Sequence, residues 1–283
     1  MLLHRIITAV VLLAVLLPTL MSTAAWPFPV FVAVTMGAAG WEWARLNGWV
    51  GWRAGAYGAA VLLLGAVLYP LVRAQPAWVG LAGASWVLGG VVALRMGSLG
   101  WAALPSALRL VLGPCVLLPA AWALLTWKGM GLNALLSVLC LVWAADVLAY
   151  AAGRLWGRRK LAPTISPGKS WEGVAGGVVG VLAVALLWVT TIDPWLSEAH
   201  GLSVYGRLVA AWGWPMGALA LLVLAALSVV GDLVESLIKR AAGAKDSSQL
   251  LPGHGGVLDR IDALLPVLPA ALGLLWLALG GMA

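Results

Sequence analysis

The sequence predicts an all-α, polytopic integral membrane protein of about nine transmembrane helices, and three observations carry that prediction. Mean hydropathy is +1.01 and only 10% of the 283 residues are charged, far outside the range of soluble domains. Apolar runs of about 18 to 22 residues recur along the chain, long enough to cross a hydrocarbon layer of about 30 Å as helices. These runs lack the apolar/polar alternation of a membrane barrel, and a helix satisfies its own backbone groups where no water is present.

The spans are expected at 4–21, 26–44, 54–73, 77–94, 108–127, 131–152, 174–192, 214–235 and 263–282. The first resembles a secretory leader, with a basic residue, an apolar stretch and small residues, and cleavage is an alternative. It is read as a retained span because so many more follow. Connections are punctuated by proline and glycine, as at Arg73-Ala74-Gln75-Pro76. Two units are expected: an N-terminal bundle of spans over residues 1–130, and a catalytic membrane domain over 131–283 that carries the polar motifs. The eighteen tryptophans gather near span ends, among them Trp41, Trp43, Trp49, Trp52, Trp212 and Trp214, as interfacial anchors do. Cys115 and Cys140 lie inside apolar segments and are read as space-filling, with neither a disulfide framework nor a zinc site.

Charge sets the orientation. With the N-terminus inside, fourteen of the seventeen Lys and Arg fall on the cytoplasmic side, leaving Arg73, Lys128 and Arg207 outside. That topology puts the polar loops 153–173 and 236–262 in the cytoplasm. The net charge of +7 then belongs to loops facing anionic headgroups, and no nucleic-acid partner is expected.

The functional question is posed by residues 232–262, which hold nine charged side chains, four basic and five acidic. A positive-inside anchor has no need of both signs. Asp232 and Glu235 are three residues apart, as are Asp259 and Asp262, so each pair shares a face if helical. Converging carboxylates are hard oxygen ligands suited to Mg²⁺. Lys239, Arg240, Lys245 and Arg260 suit phosphate oxygens. Between them, Pro252-Gly253-His254-Gly255-Gly256 allows close backbone approach to an anion. Together these describe a nucleotide or pyrophosphate site, against the alternative of a solvated loop whose charges pair among themselves.

A second cluster holds Asp146, Tyr150, Arg154 and the run Ser166-Pro167-Gly168-Lys169-Ser170-Trp171-Glu172-Gly173. Gly168-Lys169-Ser170 is not a phosphate-binding P-loop, because the earlier glycine falls on Pro163 and no strand precedes it. Ser166-Pro167 reads instead as a helix N-cap with proline in the first turn. Asp146 lies inside the sixth span, where a carboxylate is a functional candidate; pairing with a nearby arginine is the competing reading.

The segment Ser236–Asp262 resembles the signature of the phosphatidate cytidylyltransferases, also called CDP-diacylglycerol synthases. Ser236, Lys239-Arg240, Lys245-Asp246, Pro252, His254-Gly255-Gly256, Asp259-Arg260 and Asp262 fall at its positions, and the runs 146–157 and 166–173 are similar to that family too. The resemblance implies an all-helical enzyme of the bacterial cytoplasmic (inner) membrane, its site facing the cytoplasm, that transfers a cytidylyl group from CTP to phosphatidic acid. It implies a homodimer, Mg²⁺, and a monovalent cation such as K⁺ as a further option. Asp232 and Asp259 are then the central metal ligands and, with Lys239 and Arg260, the catalytic set. Arg240, Lys245, His254, Gly255, Gly256, Ser166, Lys169 and Ser170 are expected to bind substrate. Asp146, Glu172, Glu235, Asp246 and Asp262 are expected around the metal ligands. The rival readings are a transporter with a re-entrant loop, and the CDP-alcohol phosphotransferases, whose Asp-Gly-x-x-Ala-Arg run does not occur here.

Overall fold

A computed structural model of the chain describes residues 2–74 and 77–280. Helices dominate it: α1 (Leu2–Met21), α2 (Pro27–Leu46), α3 (Trp52–Ala74), α4 (Ala77–Ala103), α5 (Ser106–Gly129) and α6 (Leu132–Trp156) follow one another with short turns. A small antiparallel hairpin, β1 (Lys160–Ala162) and β2 (Ser166–Ser170), leads into α7 (Trp171–Leu187). One π-helical turn, Trp188–Ile192, joins α7 to α8 (Asp193–His200), and α9 (Val204–Ala241), α10 (Leu258–Ile261) and α11 (Leu264–Ala278) complete the chain. Among the described residues, seven helices are long and apolar enough to cross a membrane. The protein is an all-α, multi-pass membrane protein. Each of the nine expected spans overlaps a helix, but α1 and α2, the latter carrying Glu42 and Arg45, both fall outside those seven, so the count of nine stays an expectation. Gln75 and Pro76 of the expected turn, and the last residues of the ninth span, lie outside the described residues.

Two long helices are broken where glycine adopts left-handed backbone. Gly97 (φ 67°) interrupts α4, and Gly213 (φ 74°) interrupts α9 just before Pro215. At 1.5 Å per residue an unbroken 38-residue helix would overrun the hydrocarbon layer, so the Gly213 break marks where the span of α9 begins.

The hairpin overturns one expectation. Ser166-Pro167 does not start a helix; it lies in β2, paired with β1. The cap of α7 is Ser170, whose Oγ accepts the Gly173 amide at 3.1 Å. Proline lacks an amide donor and suits an edge strand as well as a first helical turn, so the dipeptide alone did not discriminate. Some tryptophans also differ from surface anchors. Trp52 is exposed, but Trp43 is buried and its indole N–H donates to the Arg109 carbonyl at 2.8 Å. Trp127, fully buried, donates to the Leu268 carbonyl at 3.1 Å.

Polar contacts mark two opposite ends of the bundle. At one end Thr8 Oγ1 donates to the Pro252 carbonyl, joining the start of α1 to the loop before α10. At the other, Lys128 contacts the Leu20 carbonyl, Arg207 contacts Met130, and Asp193 accepts from Asn133 and Ser203.

Between the ends, small residues let backbones touch, as membrane helices require when no water drives their association. A Cβ on Gly83 of α4 would stand 2.5 Å from Ala270 Cα and 2.6 Å from Pro269 C, backbone atoms of α11. Gly89 in the same helix faces open space. Gly83→Ala is expected to lose about 1–3 kcal/mol through overpacking, read as a lower thermal midpoint in detergent. Gly89→Ala should leave the midpoint unchanged or raised. Equal midpoints for the two variants would contradict the proposed α4–α11 contact.

Candidate active site

A glycine brings the first carboxylates together. Gly231 in α9 packs against the start of α11, where an added Cβ would sit 2.5 Å from the Asp262 carbonyl oxygen and 2.8 Å from Pro266 Cγ. Asp232, the next residue, thereby shares a cavity of about 610 Å³ with Asp259, Arg260 and Asp262. Helix α6 contributes Asp146, Tyr150 and Arg154 to the same cavity, and the hairpin contributes Ser166, Lys169 and Ser170. Its apolar wall is built from Ala145, Ala149, Val174 and Val229 of the spans. Helices α6 and α7 close up behind it through Gly173, Gly177 and Gly180, where an added Cβ would strike α6 backbone or Leu148.

Inside the cavity, Lys169 Nζ lies 2.6 Å from Asp232 Oδ2, and Ser236 Oγ donates to Asp232 Oδ1 at 3.3 Å. Asp262 Oδ1 accepts the amide of Ala263 at 2.8 Å. Among the described residues, no arginine comes within ion-pair distance of Asp146.

Asp259 is held differently. Its Oδ1 meets Lys239 Nζ at 2.5 Å, while Oδ2 accepts the Ser247 amide at 2.9 Å, the Ser247 hydroxyl at 2.8 Å and the Gly256 amide at 2.7 Å. Lys239 also stands 2.5 Å from Glu235 Oε2, a charge contact without hydrogen-bond alignment, since neither Glu235 oxygen has an aligned donor. Buried between two carboxylates, the Lys239 ammonium offsets charge that would otherwise be costly in a dry setting.

A second cavity, of about 890 Å³, is formed by the loop after α9. Lys245, Asp246, Pro252, His254 and Gly255 line it, and Arg260 lines both cavities. The loop turns at Gly253 (φ 77°) and Gly255 (φ 79°), conformations that side chains with a Cβ rarely adopt, and a bridge between Leu251 and Gly255 closes it.

The structure thus gathers Asp146, Ser166, Lys169, Ser170, Asp232, Asp259, Arg260 and Asp262 at one cavity, and Lys245, Asp246, His254 and Gly255 at its neighbour. Five candidate residues line neither cavity: Lys239 and Glu235 meet each other beside Asp259, Gly256 lies against Glu42 and Ser247, and Arg240 and Glu172 face elsewhere. Arg240 donates to the carbonyls of Ile165 and Ala244, tying α9 to the hairpin. Glu172 accepts the amides of Arg158 and Arg159, fixing the turn after α6. Sequence reasoning missed Glu42 altogether. This α2 carboxylate, 0% exposed, accepts from Ser247, Ser248, Val257 and Leu258 at 2.6–3.1 Å. Its one signal was solitude, as the only acidic residue in the first 145. An added Cβ at Gly256 would run into Glu42 and Ser247, which is why that position has no side chain.

The residues suit a hard cation in donor type. Asp232 and Asp259, expected as the central ligands, each already hold an ammonium on one oxygen: Lys169 on Asp232 and Lys239 on Asp259. Asp259 also takes three donors on Oδ2, so a cation there would stand in the place of Lys239 on Oδ1. Among the described residues no three candidate donors are clustered tightly enough to form a ready-made cage.

The model of the Cytidylyltransferase family matches residues 3–278. A phosphatidate cytidylyltransferase of Pseudomonas aeruginosa is 41% identical over 98% of this chain and 98% of its own. Those of Haemophilus influenzae (48% identical, 49% of this chain and 44% of that one) and Brucella abortus (43%, 52% and 47%) match over about half of each. With nearly its whole length matched by the family model, the chain belongs to the Cytidylyltransferase family.

Proposed function

We propose that this protein transfers a cytidylyl group from CTP to phosphatidic acid, releasing pyrophosphate and forming CDP-diacylglycerol for phospholipid synthesis. The carrying observation is one cavity with carboxylates, Lys169 and Arg260 at its polar end and span residues along its wall. Such a cavity suits a lipid whose phosphate must meet a nucleotide without its acyl chains leaving the membrane. The adjoining loop cavity, polar and formed by the extramembrane segment, suits the triphosphate, and Arg260 stands between the two.

In the reaction a phosphatidate oxygen forms a new bond to the α-phosphorus of CTP as the bond to the bridging α–β oxygen breaks. The nucleophile is already ionised near neutral pH, so no strong base is required. The barrier is repulsion between anions, and fixed cations lower it. Lys169 offers an ammonium at the lipid side, and Arg260 offers a planar fork between the two phosphates. Lys245 and His254 meet the triphosphate from the loop. Lys239, held by Asp259 and Glu235, offsets part of their charge. Asp232 and Asp259 would hold Mg²⁺, with Asp146, Asp262 and Glu235 nearby. When bound, the metal supplies charge neutralisation on the phosphates and the departing pyrophosphate. A monovalent cation such as K⁺ and a homodimer belong to the same reading on the family resemblance alone.

Purified protein incubated with radiolabelled CTP and phosphatidate is expected to yield lipid-linked label that requires both substrates; label independent of phosphatidate would end this reading. Arg260→Lys keeps the charge and loses the fork, so kcat/KM should fall about ten- to a hundredfold. Near-normal turnover and CTP affinity in Arg260→Gln would remove Arg260 from the site.

Asp232→Asn and Asp259→Asn should each lower transfer at least about a hundredfold at every Mg²⁺ concentration, while Asp262→Asn should cost less, about ten- to a hundredfold. Substantial activity in either of the first two would refute the paired-aspartate site.

The site is proposed to face the cytoplasm of a bacterial inner membrane, supported by the fourteen-to-three distribution of basic residues. Gln249 in the loop and Glu198 at the far end are both exposed. A cysteine at 249 should label from the cytoplasmic side only, and one at 198 from outside only; the reverse pattern would invert the orientation.

A further inference from the structure

Glu42 is the one carboxylate in this protein that combines zero exposure with no ion pair among the described residues. Three donors satisfy it instead, with the Ser247 hydroxyl as a fourth neighbour. Oε1 accepts Ser248 Oγ at 2.6 Å and the Val257 amide at 2.9 Å; Oε2 accepts the Leu258 amide at 2.7 Å and faces Ser247 Oγ at 3.1 Å. A buried charge held by hydrogen bonds alone is stable only where the donors are fixed in place, and all four groups come from the loop between α9 and α11. The Ser247 hydroxyl has a single proton between two carboxylates, with the shorter contact, 2.8 Å, to Asp259. Glu42 therefore grips the loop at two places, 247–248 and 257–258. Arg260 follows two residues after the second grip.

We infer that Glu42 is a positioning residue for the transfer reaction: from the N-terminal bundle it sets the shape of the loop that forms the CTP cavity. It touches neither substrate. Its effect should fall on the substrate that the loop receives and spare the lipid, which lies against α6, α7 and the hairpin. The inference rests on the assignment of CTP to the loop cavity.

The test is steady-state kinetics on the full-length protein in lipid nanodiscs, varying CTP and phosphatidate separately. Glu42→Gln keeps the shape but replaces one acceptor oxygen by an NH₂ group facing donors. KM for CTP should rise about tenfold or more, with KM for phosphatidate within about twofold. A purely architectural role would instead reduce the active fraction, lowering apparent kcat with both KM values unchanged, and that result would overturn the inference. So would a parallel rise in both. Ser248→Ala removes a single donor and should shift KM for CTP in the same direction by a smaller factor; it decides the matter if Glu42→Gln does not fold. Inactive wild-type protein would speak against the proposed function itself, whereas active wild type with unmoved KM for CTP in both variants speaks against Glu42 alone.

Discussion

The site depends on how Asp259 is held. Its carboxylate collects a lysine from α9, a serine hydroxyl and two loop amides, so three separate stretches of chain converge on one group. In a dry environment an unpaired carboxylate is prohibitively costly, and a paired one is tolerable only when its remaining lone pairs are also occupied. Satisfying Asp259 therefore forces the loop to fold back on α9, and that fold makes the second cavity. The same logic places Lys239 between Asp259 and Glu235, where one ammonium meets both acids.

Helix packing supplies what charge pairing alone lacks, namely close approach. Gly231 admits the Asp262 carbonyl, and Gly173 and Gly177 of α7 admit the Ala149 and Ala145 carbonyls of α6. Each contact is too tight for a side chain, so the spacing of glycines along α7 and α9 sets how near Asp146, Asp232 and Asp262 stand. Because lipid tails solvate leucine as well as a neighbouring helix does, such contacts hold the spans together by packing. The polar cavity is thus a consequence of apolar geometry a few residues away.

Much of this was legible in the sequence, and the reasons differ by feature. The spans were readable because membrane thickness sets their length, and α9 even showed its start at Gly213–Pro215. The gathering of Asp232, Asp259, Arg260 and Asp262 was readable because charge rarely concentrates at a membrane face without cause. The strand at Ser166–Ser170 was not, since Ser-Pro serves a first helical turn and an edge strand equally. Arg240 and Glu172 matched a motif by position, yet their side chains are bound to backbone groups, a fact that spacing cannot reveal. Glu42 was invisible for a deeper reason: its partners are more than 200 residues away, three of the four contacts being at separations of 206 to 216.

That separation bears on how the chain is divided. The sequence suggested a bundle over residues 1–130 and a catalytic unit over 131–283, with chemistry confined to the second. A fully buried carboxylate from α2 at the base of the motif loop, and Thr8 of α1 bonded to Pro252, tie the first unit to the second at the reactive end. The far end is tied as well, where Arg207 of α9 donates to the Met130 carbonyl. A loop rich in glycine has many conformations to lose on ordering, and hydrogen bonds internal to it restrain only its tip. An acceptor fixed in a separate helix restrains both ends at once, because α2 is itself packed in the core. The N-terminal helices therefore do more than anchor the protein in lipid: they provide the rigid frame against which the glycine-rich loop keeps one shape.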